Sequence, residues 1–260
     1  MSDADAEIRE RLANRQSFVL DAGAGAGKTY SLVQALSYVL NSQRNVLERS
    51  GQRIACITFT NVAKDEILER IGHDPLVAVS TIHDFLWGLI QPHQRALRAA
   101  IVKFNASLPA QSARRKDPAE LEAVLPTLAI IYADTGSNLL KGRLYHDDLL
   151  SVARIMFADN SLLSRVTAAK FPVLFVDEYQ DTSPAVAELI LDFLLPRSGG
   201  GLVVGFFGDE LQNIYHGGGE HSGVGELPPA LADKLKPIVK GENRRCSEAV
   251  IAVLNRIRTD

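Results

Sequence analysis

"FVLDAGAGAGKTYSLV" spans residues 18–33 and sets three alternating glycines between an apolar run and a Lys-Thr pair. "SFVLD" (17–21) has the composition of a buried strand, and "KTYSLVQALSYVL" (28–40) carries apolar residues at helical spacing, so the glycines fall in a strand-to-helix turn. A phosphate-binding loop requires that context. Gly23, Gly25 and Gly27, alternating with Ala24 and Ala26, let successive backbone amides turn toward one centre. The helix N-terminus adds free N–H groups and the positive end of its dipole. In such a loop Lys28 would reach the β- and γ-phosphates of a nucleotide and Thr29 would hold Mg2+, with Tyr30 next in line. Ala22 stands where the G-x-x-x-x-G-K-[ST] pattern has its first glycine. The exchange is tolerable if Ala22 keeps a negative φ, because backbone amides do the binding. Taken alone, "GAGAGKT" also fits a plain flexible turn, so a second motif has to decide.

That motif is "LFVDEYQDT" (174–182). An apolar strand ending in Asp177-Glu178 puts two carboxylates at the carboxyl edge of a sheet, where open α/β sheets bind their ligands. Asp177 is the candidate Mg2+ ligand and Glu178 the candidate general base that polarises an attacking water.

Further along, the apolar runs "RIACITF" (53–59), "VAVST" (77–81), "PVLFVD" (172–177) and "LVVGFFGD" (202–209) alternate with the amphipathic stretches "AKDEILERI" (63–71) and "PAVAELILDFLL" (184–195). This alternation predicts a mostly parallel sheet covered by helices, an α/β fold, to which the glycine loop adds the mark of a P-loop NTPase. From about Gln91 to Arg143 the strand signal disappears, and the stretch is expected to be a small helical insertion within one domain, splitting it into residues 1–90 and 144–260. Its basic segment holds Arg114, Arg115 and Lys116, either a solvated loop or a nucleic-acid contact.

Composition narrows the remaining classes. The 260 residues are 46% hydrophobic and 23% charged with a net charge of −3, so a broad basic surface is excluded and any nucleic-acid contact must be local. Two distant cysteines, Cys56 and Cys246, give neither a zinc spacing nor a disulfide framework. "MSDADAEIRERL" has no signal-peptide core, and no apolar run approaches the ~20 residues of a membrane span. A cytoplasmic protein with no membrane partner is expected.

The order of the motifs carries a further resemblance. "AGAGAGKT", "ITFTNVAKDEILERI", "VSTIHDF", "VDEYQDT", "FGDELQNIY" and "ENRRCSEAV" follow the sequence of motifs I, Ia, Ib, II, III and IV in the UvrD/Rep-like superfamily 1 helicases. "YHDDLL" (145–150) resembles the re-entry from that family's inserted subdomain 1B into its RecA-like motor domain 1A. The resemblance implies ATP and Mg2+ as cofactors and single-stranded DNA as partner. It also accounts for Ala22, since the family uses Ala at that position. By the same resemblance Gln212 senses the γ-phosphate, Arg245 neutralises charge on the transferring phosphoryl group, and Arg244 occupies the place of an adenine-stacking tyrosine. Thr58, Phe59, Thr60 and Asn61, with Thr81 and His83, would line a single-strand track. From the residues alone, Phe59 could equally be core and His83 could equally serve a local hydrogen bond.

Three departures qualify the resemblance. No adenine-reading glutamine motif precedes the first strand, where Gln16 stands too close to serve. Arg244 replaces the usual tyrosine, and Tyr215 runs into "HGGGEHSGVGEL" (216–227), which lacks the DNA-stacking tryptophan of many relatives. Motifs V and VI belong to a second RecA-like lobe that these residues do not contain. The 260 residues alone are therefore expected not to unwind DNA processively.

Overall fold

A computed structural model describes residues 2–23, 25–133, 135–209, 235 and 237–240. The chain opens on α1 (Asp3–Ala13), which Ser2 and Asp5 start with a reciprocal capping box. β1 (Phe18–Ala22) leads through the glycine loop into α2 (Lys28–Ser50), which runs ten residues beyond the apolar stretch read from sequence and stops at left-handed Gly51. Then come β2 (Ile54–Thr58), α3 (Asn61–Arg70), β3 (Val77–Thr81) and α4 (Ile82–Ile90). α5 (Gln94–Ser107), α6 (Pro118–Val124) and the two-residue strands β4 (Ile131–Tyr132) and β5 (Arg143–Leu144) follow. α7 (His146–Asp159), α8 (Ser161–Lys170) and β6 (Val173–Asp177) return to the main sheet. α9 (Pro184–Glu188) widens into a π-helical turn at Leu189–Leu194, continues as α10 (Leu195–Arg197), and precedes β7 (Val203–Gly208) and β8 (Pro237–Lys240).

The six main strands run in the order β3-β2-β6-β7-β1-β8, with every neighbouring pair parallel. β2, β6 and β7 are buried along their whole length because both faces of the sheet are covered, whereas the edge strands β3 and β8 are only partly buried. Phe18, Leu20, Cys56, Phe175 and Phe207 point into one layer with α1, α2 and α3, while Val19, Ile57, Val176 and Phe206 point into the other with α4, α5, α7 and the α9–α10 segment. The Phe18, Phe175 and Phe207 rings pack together at centroid separations of 5.5 to 6.4 Å.

Two features depart from the sequence reading. Residues 184–195, read as one regular helix, contain the π turn, which ends against Pro196, a residue with no N–H to continue the i→i−4 ladder. Residues 91–143, read as a small helical insertion without strand signal, include the β4 and β5 residues Ile131, Tyr132 and Arg143, whose pairing is too short to leave a period-two pattern. The basic segment of this region folds onto its own chain. Arg114 pairs with the buried Asp148 of α7, Arg115 donates to the Leu108 carbonyl at 2.9 Å, and Lys116 donates to the Ala113 carbonyl at 3.0 Å.

Candidate functional site

The strand register brings the motifs to one edge. Asp21 pairs with Gly208 and Asp177 with Phe207, so β1, β6 and β7 end within a residue of one another. Ile57 pairs with Val176 and Thr58 with Thr81, which sets the ends of β2 and β3 on the same rim. A parallel sheet therefore collects segments more than 150 residues apart in sequence on its carboxyl edge.

On β1, Ala22 closes the strand fully buried and with negative φ, the condition under which Ala can replace the first glycine of the loop. Gly25 and Gly27 take left-handed backbone, at φ 75° and 81°, whereas Gly23 does not. At Gly27 a Cβ would meet nothing nearer than the Tyr30 Cβ at 3.7 Å, so glycine is required there by its φ and not by crowding. Ala26 donates back to the Gly23 carbonyl at 2.9 Å, and Ser31 donates to that of Gly27 at 3.0 Å. Lys28 and Thr29 thus occupy the first turn of α2, with Tyr30 exposed beside them.

Across β7, the end of β6 presents Asp177 and Glu178. Lys28 Nζ donates to Glu178 Oε2, joining the glycine loop directly to the carboxylate pair. Glu178 sits at φ 50°, ψ 50°, in the left-handed region, where a non-glycine residue costs about 1–2 kcal/mol. Asp177 is 6% exposed, and its Oδ1 is buried without a hydrogen-bond partner among the described residues. Burial, then the neighbouring Glu178 charge, pushes its carboxyl up to about 7, against a smaller downward pull from Lys28. Burial and the Glu178 charge also raise the Asp181 carboxyl. Among the described residues, no group of three or more His, Cys, Asp or Glu side chains could enclose a metal. The buried Asp177 oxygen instead suits Mg2+, a hard ion commonly held by one or two protein oxygens together with substrate phosphates.

Beside this pair lies a cavity of about 470 Å³ lined by Thr58, Phe59, His83, Tyr145, His146 and Asp177, among others. Phe59 is 54% exposed, which excludes the core reading. Thr60 and Thr81 cap α3 and α4, accepting from the backbone of Ala63 and Asp84, and Asn61 begins α3 on the surface. Thr58 is buried and donates to the Thr60 carbonyl at 3.1 Å. His83 packs against His146 at 4.5 Å between ring centroids and stacks on Tyr132 at 6.5 Å; burial and then the His146 charge lower its pKa.

Ala24, Gln212, Arg244 and Arg245 lie outside the described residues. The structure adds two groups that the sequence reading did not single out. Gln180, 2% exposed, donates through Nε2 to Glu178 Oε2 at 2.6 Å and accepts from the Asp209 N–H at 3.1 Å. Its presence in "DEYQDT" was visible, but its partner 29 residues away was not. Lys240 of β8, 4% exposed, donates to Ser31 Oγ at 2.7 Å and to Asp5 Oδ1 at 3.2 Å, tying α1 and the first turn of α2 to the sheet.

Residues 5–218 match the AAA domain family. Among curated relatives, Gabija protein GajB of Bacillus cereus (strain HuB5-5) is 29% identical over 94% of this chain and 47% of its own length. ATP-dependent DNA helicase Rep of Buchnera aphidicola subsp. Acyrthosiphon pisum is 23% identical over 95% of this chain and 43% of its own length. The chain thus spans less than half the length of either relative. In fold it is similar to Pif1 helicase from Candida albicans, with a TM-score of 0.50 and 15% identity over 99% of this chain and 44% of that one. No described helix is long and apolar enough to cross a membrane. The chain belongs to the AAA domain family and has the fold and motif order of the N-terminal ATP-binding region of UvrD/Rep-like superfamily 1 helicases.

Proposed function

We propose that the chain binds and hydrolyses ATP as part of a superfamily 1 DNA helicase, with hydrolysis coupled to single-stranded DNA translocation or unwinding once a second RecA-like lobe completes the site. The observation that carries this reading is the contact of Lys28 with Glu178 beside the unpartnered Asp177 Oδ1. It gathers a phosphate-seeking cation, a general base and a metal-seeking carboxylate at one sheet edge. In this reading residues 1–90 and 144–260 form one motor domain and residues 91–143 the 1B-like insertion.

The loop from Ala22 to Gly27, with Ala24 and Ala26 between its glycines, would hold the β- and γ-phosphates on backbone amides at the start of α2. Lys28 then exchanges Glu178 for phosphate oxygens, and Tyr30 borders the nucleotide. Released from Lys28, Glu178 orients a water for in-line attack on the γ-phosphate and accepts its proton. Asp177 and the Thr29 hydroxyl would hold Mg2+, which when bound neutralises phosphate charge. Gln212 and Arg245 are assigned as nucleotide sensor and charge neutraliser, and Arg244 as a stacking group for adenine. Thr58, Phe59, Thr60, Asn61, Thr81 and His83 are assigned to the DNA track, with Phe59 free to stack on a base. The cell compartment proposed is the cytoplasm.

Steady-state ATP hydrolysis by the natural full-length protein, with and without single-stranded DNA, tests the reading. Glu178→Gln is expected to lower turnover by about 100-fold or more while nucleotide binding persists, since Lys28 loses its competing charge. Lys28→Ala should weaken both binding and turnover. Full turnover in Glu178→Gln would remove Glu178 as the base. A second reading, a nucleotide-gated regulatory ATPase subunit of a repair or nuclease-linked defence complex, is favoured by one observation: identity to Gabija protein GajB, 29%, exceeds the 23% to this Rep helicase. Hydrolysis indifferent to single-stranded DNA would select it.

A further inference from the structure

We propose that Gln180 is a positioning residue that fixes the Glu178 carboxylate and ties it to the end of β7, making hydrolysis depend on where that strand end sits. The inference rests on the reading of Glu178 as the general base.

Both ends of the Gln180 amide are engaged, in opposite senses. Nε2 donates to Glu178 Oε2 at 2.6 Å, and Oε1 accepts from the Asp209 N–H at 3.1 Å. A carboxylate can only accept and a backbone N–H can only donate, so the bridge needs a side chain with a donor and an acceptor at its tip. An ionised glutamate of the same length lacks the donor, and a methionine lacks the donor and offers only a weak sulfur acceptor. The bridge is also packed: Gln180 is 2% exposed in the tight turn Tyr179–Asp181, directly after the left-handed Glu178.

The close approach is built from the β7 side as well. A Cβ at Gly208 would fall 2.5 Å from Gln180 Oε1 and 2.3 Å from Tyr179 Cδ1, so any larger residue would push the bridge away. Oε2 of Glu178 is moreover the oxygen that Lys28 contacts. When Lys28 turns to phosphate, Gln180 is the group that keeps this oxygen oriented. Asp209, whose N–H holds the far end of the amide, lies three residues before Gln212, the assigned nucleotide sensor. A shift of the Asp209 N–H would therefore reach Glu178 through one side chain.

The test compares wild type, Gln180→Met, Gln180→Glu, Glu178→Gln and the Glu178→Gln/Gln180→Met double variant of the natural full-length protein. Turnover at saturating single-stranded DNA, KM for ATP and the affinity of a fluorescent ATP analogue are measured together with thermal melting. Both Gln180 variants are expected to lose about 10- to 100-fold in kcat with analogue affinity within about threefold, and in the Glu178→Gln background Gln180→Met should remove less than about twofold more. Gln180→Met, being uncharged and of similar size, keeps the test decisive should Gln180→Glu fail to fold. Wild-type kcat in Gln180→Met beside an inactive Glu178→Gln overturns the inference and leaves the Glu178 reading intact. Loss of affinity and melting temperature in step with kcat overturns it in favour of a merely structural role. Full turnover in Glu178→Gln overturns both.

Discussion

Two aspartates of nearly equal burial meet opposite fates in this molecule. Asp5 is 4% exposed and Asp177 6%. Burial pushes the Asp5 carboxyl up, but hydrogen bonds from Ser31, Ser2 and Lys240 and the Lys240 charge outweigh it, leaving Asp5 below its ordinary value. Asp177 is pushed up to about 7 by burial and by Glu178, and keeps one oxygen with no partner. Both are hidden from solvent, but Asp177 is packed more deeply and Asp5 has more partners, so depth and partners together make the difference. At Asp5 the protein itself completes the charge, and the result is a clamp between α1, α2 and β8. At Asp177 the described residues leave one oxygen without a partner, the place the proposed Mg2+ would take.

The comparison can be broken first at its satisfied half. Lys240→Met leaves Asp5 charged, buried and short of its cation, and should destabilise the fold by about 3 kcal/mol or more in denaturant titration. Asp5→Leu/Lys240→Met should recover most of that loss, because no buried charge remains. If the single and double variants unfold alike, the clamp is not what holds these elements.

The same kind of change should have the opposite sign at the site. Asp177→Asn removes an uncompensated buried charge, so in chelator-treated protein at pH 8 it should raise stability by about 1–3 kcal/mol while abolishing Mg2+-dependent hydrolysis. A destabilised Asp177→Asn protein would mean that Asp177 is already satisfied.

The pH dependence sharpens the contrast. With its folded pKa near 7 against an ordinary value of 3.8, Asp177 binds more protons folded than unfolded between about pH 4 and 7. Its contribution to stability therefore falls as pH rises through that window, by at most about 1.4 kcal/mol per unit, and levels off above it. Asp5 behaves oppositely: its contribution is present above the ordinary carboxylate range and is lost as pH falls through its lowered folded value. Subtracting the stability curve of metal-free Asp177→Asn from that of wild type cancels the groups that do not interact with Asp177, His83 included, and should leave the falling slope.

The smallest expected effect lies on the rim. Phe59→Ala should leave basal ATP turnover unchanged and weaken single-stranded DNA binding by about 1–3 kcal/mol, read from the DNA concentration that half-stimulates hydrolysis. Unchanged DNA dependence would take Phe59 out of the track.

Much of the architecture was legible because it is written locally. Five of the six main strands announced themselves as short apolar runs, and their observed limits, such as Val173–Asp177 against the run 172–177, differ by no more than one residue at either end. β8 escaped because its four residues alternate exposed and buried at the sheet edge, with Lys240 as one of the buried pair. α1 was passed over because its cap and its acidic first turn look like a solvated tail until Asp5 is seen meeting Lys240 across 235 residues.

The site divides in the same way. Lys28, Asp177 and Glu178 could be named from sequence because each lies within a short motif whose chemistry depends on neighbours one to six residues away. Gln180 could not, since its meaning comes from the N–H of Asp209, which the parallel register places beside it. The residue order alone determined the strand-loop-helix at Lys28, the carboxylate pair after β6 and the covered parallel sheet, because backbone propensity and hydrophobic spacing act over a few residues. Only the tertiary structure decided that Asp5 is completed, that Asp177 is left wanting, and that one amide links Glu178 to β7. Desolvation and hydrogen-bond partners come from segments that folding, not sequence, makes neighbours.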